Sequence, residues 1–323
     1  MGTEHVEHGW RVDGRCTNCD VARQLAPGLV GEVAGRSAVL RQPRDAAETA
    51  RLHAAAHACP TRSVRPPDGR TDPARDPFPM PLDDIGTGTG SGTDSESGSG
   101  TGTDSESGSG SGSVLLCGHN SPHTAGANSY LLRRPDGTSM MIDTPRWSPA
   151  LAARYEAPGP VTDVLLTHRD HAVHGRRYAD GFGARLWIHE GDLDAAPDAD
   201  RVLRGTEPAG IADGVLAVPF PGHTRGSVLY LADERYCFSG DSFYWSRTTS
   251  DIEVAESVTW YSIRELAASL ARTAGRLRFE WLLPGHGDRR HLPHEEMTAR
   301  LGNLATRTHE LPPRAVDFTA VRW

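Results

Sequence analysis

Beyond residue 113 the chain breaks into short apolar runs separated by polar, Gly- and Pro-bearing breaks. Val114–Cys117, Asn128–Arg133 and Ser139–Ile142 read as strands, with a turn at Pro135-Asp136-Gly137 between the last two. Val161–Leu166, Arg185–Ile188, Val215–Val218, Ser227–Leu231, Arg235–Phe238 and Glu280–Leu283 read as further strands. Helices are expected at Pro149–Tyr155, near Val173–Gly181, at Ser262–Ala274 and at Pro293–Thr306. In Ser262–Ala274 the residues Ile263, Leu266, Ala267 and Leu270 fall on one helical face. Strands that come both in hairpins and in alternation with helices predict a layered, mixed α/β domain.

Residues 1–66 carry a different pattern: an Ala-rich helix over Arg44–Ala58, ended by Cys59-Pro60, and a short helix after Cys19. So few residues make a small core that needs a staple. Residues 67–113 read as a linker, Pro-rich from Pro66 to Pro81 and then rich in Gly, Ser, Asp and Glu. It holds a ten-residue repeat, SGTDSESGSG followed by TGTDSESGSG. Such a segment buries no apolar area to offset the entropy of ordering, so it is expected to be disordered, a tether between two modules. The second domain then runs over 114–310, followed by a tail at 311–323.

The chain has 323 residues and a formal charge of −8, and all its basic residues are Arg. An acidic chain without a basic cluster argues against nucleic acid as a partner. No apolar run approaches the roughly 20 residues a membrane span needs. The polar start MGTEHVEHGW does not read as a signal peptide, and five scattered Cys fit a reducing, cytoplasmic setting.

The fifteen His are informative through their placement. Four apolar strand ends each deliver a His or an Asp. Leu165-Leu166 leads into Thr167-His168-Arg169-Asp170-His171, and Val218-Pro219-Phe220 into Pro221-Gly222-His223-Thr224. Tyr236-Cys237-Phe238 leads into Ser239-Gly240-Asp241, and Trp281-Leu282-Leu283 into Pro284-Gly285-His286-Gly287. Imidazole and carboxylate together are the donor set of zinc, iron or manganese, and strand ends hold donors rigidly. His5, His8, His53, His123, His189, His291, His294 and His309 lie outside this pattern and read as ordinary histidines. Cys117 and Cys237 read as small buried apolar residues.

The four motifs, in this order and spacing, resemble the metallo-β-lactamase-fold superfamily of metallo-hydrolases over roughly Val114 to Arg307. The resemblance implies an αβ/βα four-layer sandwich, here preceded by a small α+β module and the Gly/Ser linker. It also implies metal ligands His168, Asp170, His171, His223, Asp241 and His286. In that partition Asp170, His171 and His286 hold one metal, His168 and His223 the other, and Asp241 bridges them. Asp170 and Asp241 are then the catalytic carboxylates.

The family's first motif, His-x-His-x-Asp-His, is altered in this chain. If Asp170-His171 is the closing pair, Leu166 stands where the first His belongs. If His168 comes first, Asp170 takes the second position and His171 or His174 must stand in for the closing pair. His119 is a further substitute, and one or two zinc ions, or iron, fit either register. Thr224, Ser227 and Asp143 are candidates to orient the ligating imidazoles. Arg225 and Arg247 flank the expected cleft and read more simply as surface residues.

Near the N-terminus Cys16-Thr17-Asn18-Cys19 and Cys59-Pro60-Thr61 resemble a divergent single-cluster ferredoxin domain. This implies an iron–sulfur cluster on Cys16, Cys19 and Cys59. Ala22 occupies the position of the family's additional Cys, leaving Asp20, His57 or water as a fourth ligand, a three-iron cluster, a zinc site, or none of these. The function these residues support first is metal-dependent hydrolysis of a small-molecule ester, thioester, lactone or phosphoester, by a metal-activated water. The alternatives are an iron-dependent redox protein fed by the N-terminal module, with an electron-transfer partner, and a binding protein with a degraded site.

Overall fold

The structure is a computed structural model, and it describes residues 9–82 and 112–317. Two sheets face each other. The first has the order Arg201–Leu203, Arg185–His189, Val161–Leu165, Ser139–Ile142, Tyr130–Arg133, Ser113–Leu116, Met80–Pro81. Its first four strands pair in parallel and the remainder antiparallel. The second has the order Ala209–Ala212, Val215–Pro219, Val228–Ala232, Tyr236–Gly240, Trp281–Pro284, Arg290–His291, with the pair Tyr236–Gly240 and Trp281–Pro284 parallel.

Side chains alternate across each strand, so the central strands feed two cores. Leu132, Met140 and Ile142 of the first sheet share an interior with Ala217, Tyr230 and Phe238 of the second. The opposite faces are covered by helices. Leu131, Met141 and Val164 pack with Pro149–Glu156 and Gly175–Phe182. Leu229, Cys237 and Leu282 pack with Ile263–Thr273 and His294–His309. This is the expected αβ/βα four-layer sandwich. The amphipathic helix Ile263–Thr273 starts at Ser262, whose hydroxyl accepts from the Glu265 backbone N–H at 3.1 Å. Among the described residues no helix is long and apolar enough to cross a membrane.

The N-terminal module is α+β. Arg11–Val12 pairs with Val64–Arg65, Val30–Val33 pairs with Arg36–Val39, and the helices are Val21–Leu25 and Ala46–Ala58. Its interior is not separate. Trp10, Leu25, Leu52 and Cys59 belong to the same continuous apolar cluster as Phe78, Leu116, Tyr130 and Leu283. Asp20 pairs with Arg247, and Asn128 donates to Gln24 at 3.1 Å, so polar contacts reinforce the same contact surface.

The expected linker is corrected at its start. Within 67–82, Asp76 receives Arg154 and stands 3.0 Å from His119 Nε2, Phe78 is buried, and Met80–Pro81 is a strand hydrogen-bonded beside Leu115 and Leu116. The repeat itself, in residues 83–111, lies outside the described residues, as do His5 and His8.

Candidate metal centre

The four strand ends converge as the apolar runs predicted. Backbone bonds lock them together: Val228 N donates to Thr167 O at 2.8 Å, Gly285 N to Gly240 O at 2.8 Å and Asn128 N to Gly285 O at 2.7 Å. Gly285 is required by space, since a Cβ there would lie 2.6 Å from both Asp241 Oδ1 and His171 Cε1.

Asp241 stands at the centre. Its Oδ2 is 3.6 Å from His168 Nε2, 3.7 Å from His171 Nε2 and 3.8 Å from His223 Nε2, and its Oδ1 is 3.0 Å from His286 Nδ1. All of these side chains are buried. Asp170 is the exception: its half-exposed carboxylate sits on the rim, 3.4 Å from His223 Nε2 and 3.7 Å from His168 Nε2. Two donor groups emerge, one of His168, His171 and Asp241, the other of His168, Asp170 and His223.

The grouping departs from the partition the resemblance implied. Asp170 joins His168 and His223, not His171 and His286. It matches the expected register in which His168 comes first and Asp170 second, with His171 beside His168 and Asp241. His174 is engaged elsewhere, its Nε2 3.0 Å from Ser121 Oγ. His119 is also withdrawn, held between Asp76 and Arg146.

Asp143 ends the first hairpin at a positive φ of 53° and orients the cluster from behind. It accepts from the backbone N–H and the hydroxyl of Thr167, each at 2.8 Å, and lies 2.9 Å from His171 Nδ1. That contact leaves Nε2 of His171 aimed at Asp241. Thr224 and Ser227, expected around His223, instead bond each other at 2.9 Å. Thr224 also donates to Asp192 at 2.5 Å. Arg247 is no cleft residue either: it pairs with Asp20 and Asp288. Arg225 is exposed.

Asp192 and Trp260 belong to the site without having been singled out as site residues from the sequence. Asp192 is fully buried and accepts from Arg169 N and Gly226 N, each at 3.0 Å, besides Thr224. It thereby ties the loop of His168 and Asp170 to the loop of His223. Trp260 donates from Nε1 to Asp170 Oδ2 at 3.2 Å, while the Arg169 guanidinium lies 5.3 Å over its ring. Above the cluster opens a cavity of about 1010 Å³, lined also by His123, Arg169, Trp260 and, from the N-terminal module, Thr17, Asn18 and Cys19.

Whether these residues suit a cation is answered by four ring nitrogens. His168 Nε2, His171 Nε2 and both nitrogens of His223 are buried without a hydrogen-bond partner. Unpaired buried polar atoms are costly, and the convergence of the three Nε2 atoms on one carboxylate is the arrangement a metal satisfies. The charges agree. Burial opposes the Asp241 carboxylate, but His286 and His171 beside it hold its pKa well below the usual range. Burial also opposes the Asp170 carboxylate, yet the imidazoles of His223 and His168 bring it to about 2. Burial and the neighbouring His171 keep His168 neutral. For His171 burial works the other way from Asp143 and Asp241, and the two carboxylates prevail, pushing it up to about 9.

At neutral pH His171 therefore carries a proton that a cation must displace. Zinc uptake is expected to release roughly one proton per chain near pH 7, read with a pH indicator in weak buffer. Uptake without acidification would show that His171 is no ligand.

In the N-terminal module Cys16, Cys19 and Cys59 line one small pocket together with Ala22. Backbone N–H groups already point at two of the sulfurs, Ser63 N at 3.1 Å from Cys59 Sγ and Asn18 N at 3.4 Å from Cys16 Sγ. Burial, with Cys59 and Cys16 alongside, pushes the Cys19 thiol up to about 12. Cys117 and Cys237 are fully buried, as expected of apolar fillers.

Comparison with known proteins bears on both modules. Residues 12–65 match the family model of the 4Fe-4S single cluster domain of Ferredoxin I. A hydroxyacylglutathione hydrolase of Fuscovulum blasticum is 29% identical over 164 residues, covering 46% of this chain and 64% of that protein. Its namesake from Cereibacter sphaeroides (strain ATCC 17025 / ATH 2.4.3) is 31% identical over 147 residues, covering 42% and 55%. The chain thus spans somewhat over half the length of these curated relatives. Among solved structures, ETHE1 from Myxococcus xanthus is 19% identical with a TM-score of 0.44, covering 62% of this chain and 93% of that one. Residues 124–306, more than half of the chain, match the model of the Metallo-beta-lactamase superfamily, and the chain belongs to that superfamily.

Proposed function

We propose that this chain is a metal-dependent hydrolase whose cations, zinc first among those the donors suit, are held by His168, Asp170, His171, His223, Asp241 and His286. The observation that carries the proposal is the set of unpartnered buried imidazole nitrogens around Asp241, at the floor of a cavity large enough for a small-molecule substrate. A metal bound there supplies a Lewis acid and makes a water acidic enough to attack at neutral pH. The protein's own part is positioning. Asp143 and Thr167 fix the His171 ring, and Asp192 fixes the spacing between the loops of His168 and His223. Asp170, with its pKa near 2, stays anionic at neutral pH and is better suited to hold a cation than to shuttle a proton. Trp260 and Arg169 wall the cavity beside it.

The names of the curated relatives point to thioesters of glutathione as the first substrate class to test. Purified protein is expected to hydrolyse a hydroxyacylglutathione or a simpler thioester. That activity should vanish on chelation and return with zinc. Hydrolysis that resists a chelator would overturn the proposal. A second reading, an iron-dependent redox protein, rests on one feature: Cys19 lines the same cavity as Asp241 and His286. Iron in place of zinc, with no hydrolysis of any ester or thioester, would favour it.

A further inference from the structure

A four-iron cluster takes four protein ligands, as a rule four Cys. The N-terminal module brings three together, Cys16, Cys19 and Cys59, and the structure removes the substitutes for a fourth. Ala22, at the corner where the additional Cys belongs, offers a methyl group, and it is buried. Val12, Val21 and Val64 line the same pocket, so that side is apolar.

Asp20 is adjacent, but both its carboxylate oxygens are occupied. Oδ1 accepts from Arg23 and from Arg247 at 3.0 Å, and Oδ2 accepts from Arg247 at 2.7 Å and Gln24 at 3.3 Å. Freeing it would break the ion pair with the buried Arg23 guanidinium, leaving Arg23 only Glu32 at 2.9 Å, and would take one carboxylate from Arg247. His57 does not line the pocket. Its Nε2 is bonded to Asp72 O at 3.0 Å and its Nδ1 faces Asp76. The remaining polar side chains of the pocket are hydroxyls, which are weak ligands: Thr17, Ser37, which donates to Asn18 at 3.2 Å, and Thr61 with Ser63 at 2.7 Å. An iron at the Ala22 corner therefore has no further thiolate, free carboxylate or imidazole to hold it.

From this we infer that the module binds an iron–sulfur cluster through Cys16, Cys19 and Cys59 alone, and that the cluster it retains is the three-iron type, lacking the iron at the Ala22 corner. The inference is independent of the hydrolase reading, since no residue of the His and Asp cluster enters it.

The experiment uses the full chain, reconstituted anaerobically with ferrous iron and sulfide, desalted with a chelator present and then oxidised. Iron and acid-labile sulfide are counted and low-temperature EPR spectra recorded. The oxidised wild type is expected to show the near-isotropic signal of a three-iron cluster, lost on reduction. Ala22→Cys is expected to convert it to a four-iron cluster, silent when oxidised and paramagnetic when reduced. A four-iron cluster in the wild type, unaltered in Ala22→Cys, overturns the inference. So does zinc without sulfide. A wild type that retains no iron while its circular dichroism shows a folded chain overturns it as well.

Discussion

Asp241→Asn is expected to cut hydrolytic turnover by roughly a thousandfold or more, the rate equivalent of the several kcal/mol a metal ion contributes to such a reaction. The reason is geometric. Asp241 is the one carboxylate that the described structure places within 4 Å of all four of His168, His171, His223 and His286. Asn keeps the shape but supplies no charge, so cations lose the anion at the centre of the cluster. Metal content should fall together with activity. Because three of the four imidazoles reach it only at 3.6 to 3.8 Å, outside hydrogen-bond range, the metal-free fold should tolerate the change. Turnover within tenfold of wild type, with metal still bound, would remove Asp241 from the centre of the mechanism.

Asp192→Ala should act the other way round, on the fold first. Its carboxylate is inaccessible to solvent and accepts from two backbone N–H groups and the Thr224 hydroxyl. Truncation leaves two backbone N–H groups without a partner and the Thr224 hydroxyl with Ser227 alone. Hydrogen bonds to a charged group contribute about 1.5–3 kcal/mol each, and they are not additive, so a loss of about 3 kcal/mol or more is expected. Urea titration of wild type and variant measures it. Asp192→Asn, which retains one acceptor oxygen, should fall between the two. A change below about 0.5 kcal/mol, the range of ordinary surface substitutions, would contradict the clamp.

Much of the site could be read from the chain because its donors follow apolar strands whose ends are sharply marked. Leu165-Leu166 before Thr167-His168, and Leu282-Leu283 before Pro284-Gly285-His286, announce both a strand and its termination. The register of the first motif could not be read. Arg169–His174 is a 3-10 helix, in which neighbouring residues point in different directions. Asp170 and His171 therefore diverge, one toward His223 and the rim, the other toward Asp143 and Asp241. Asp192 left no trace in the pattern because two of its three partners are backbone N–H groups, which every residue but Pro possesses. The partners of Thr224 and Ser227 could not be read either, since adjacency to His223 along the chain does not say which way a hydroxyl turns. The short strands at Met80–Pro81 and Ala209–Ala212 escaped because Pro, Ala and Gly are poor strand residues; cross-strand hydrogen bonds, not propensity, make them strands.

The pairing of Met80 with Leu116 and of Pro81 with Leu115 has a consequence for the repeat between them. A tether joins bodies whose separation it must span, and its length then governs how often they meet. Here the residues flanking 83–111 belong to hydrogen-bonded neighbours, so the connection spans almost no distance. Closing a flexible loop between such neighbours costs an entropy that grows only with the logarithm of loop length: doubling it adds about 0.6 kcal/mol. Duplicating or deleting the ten-residue unit is therefore expected to change the folding free energy little, so that copy number at this position is close to thermodynamically neutral.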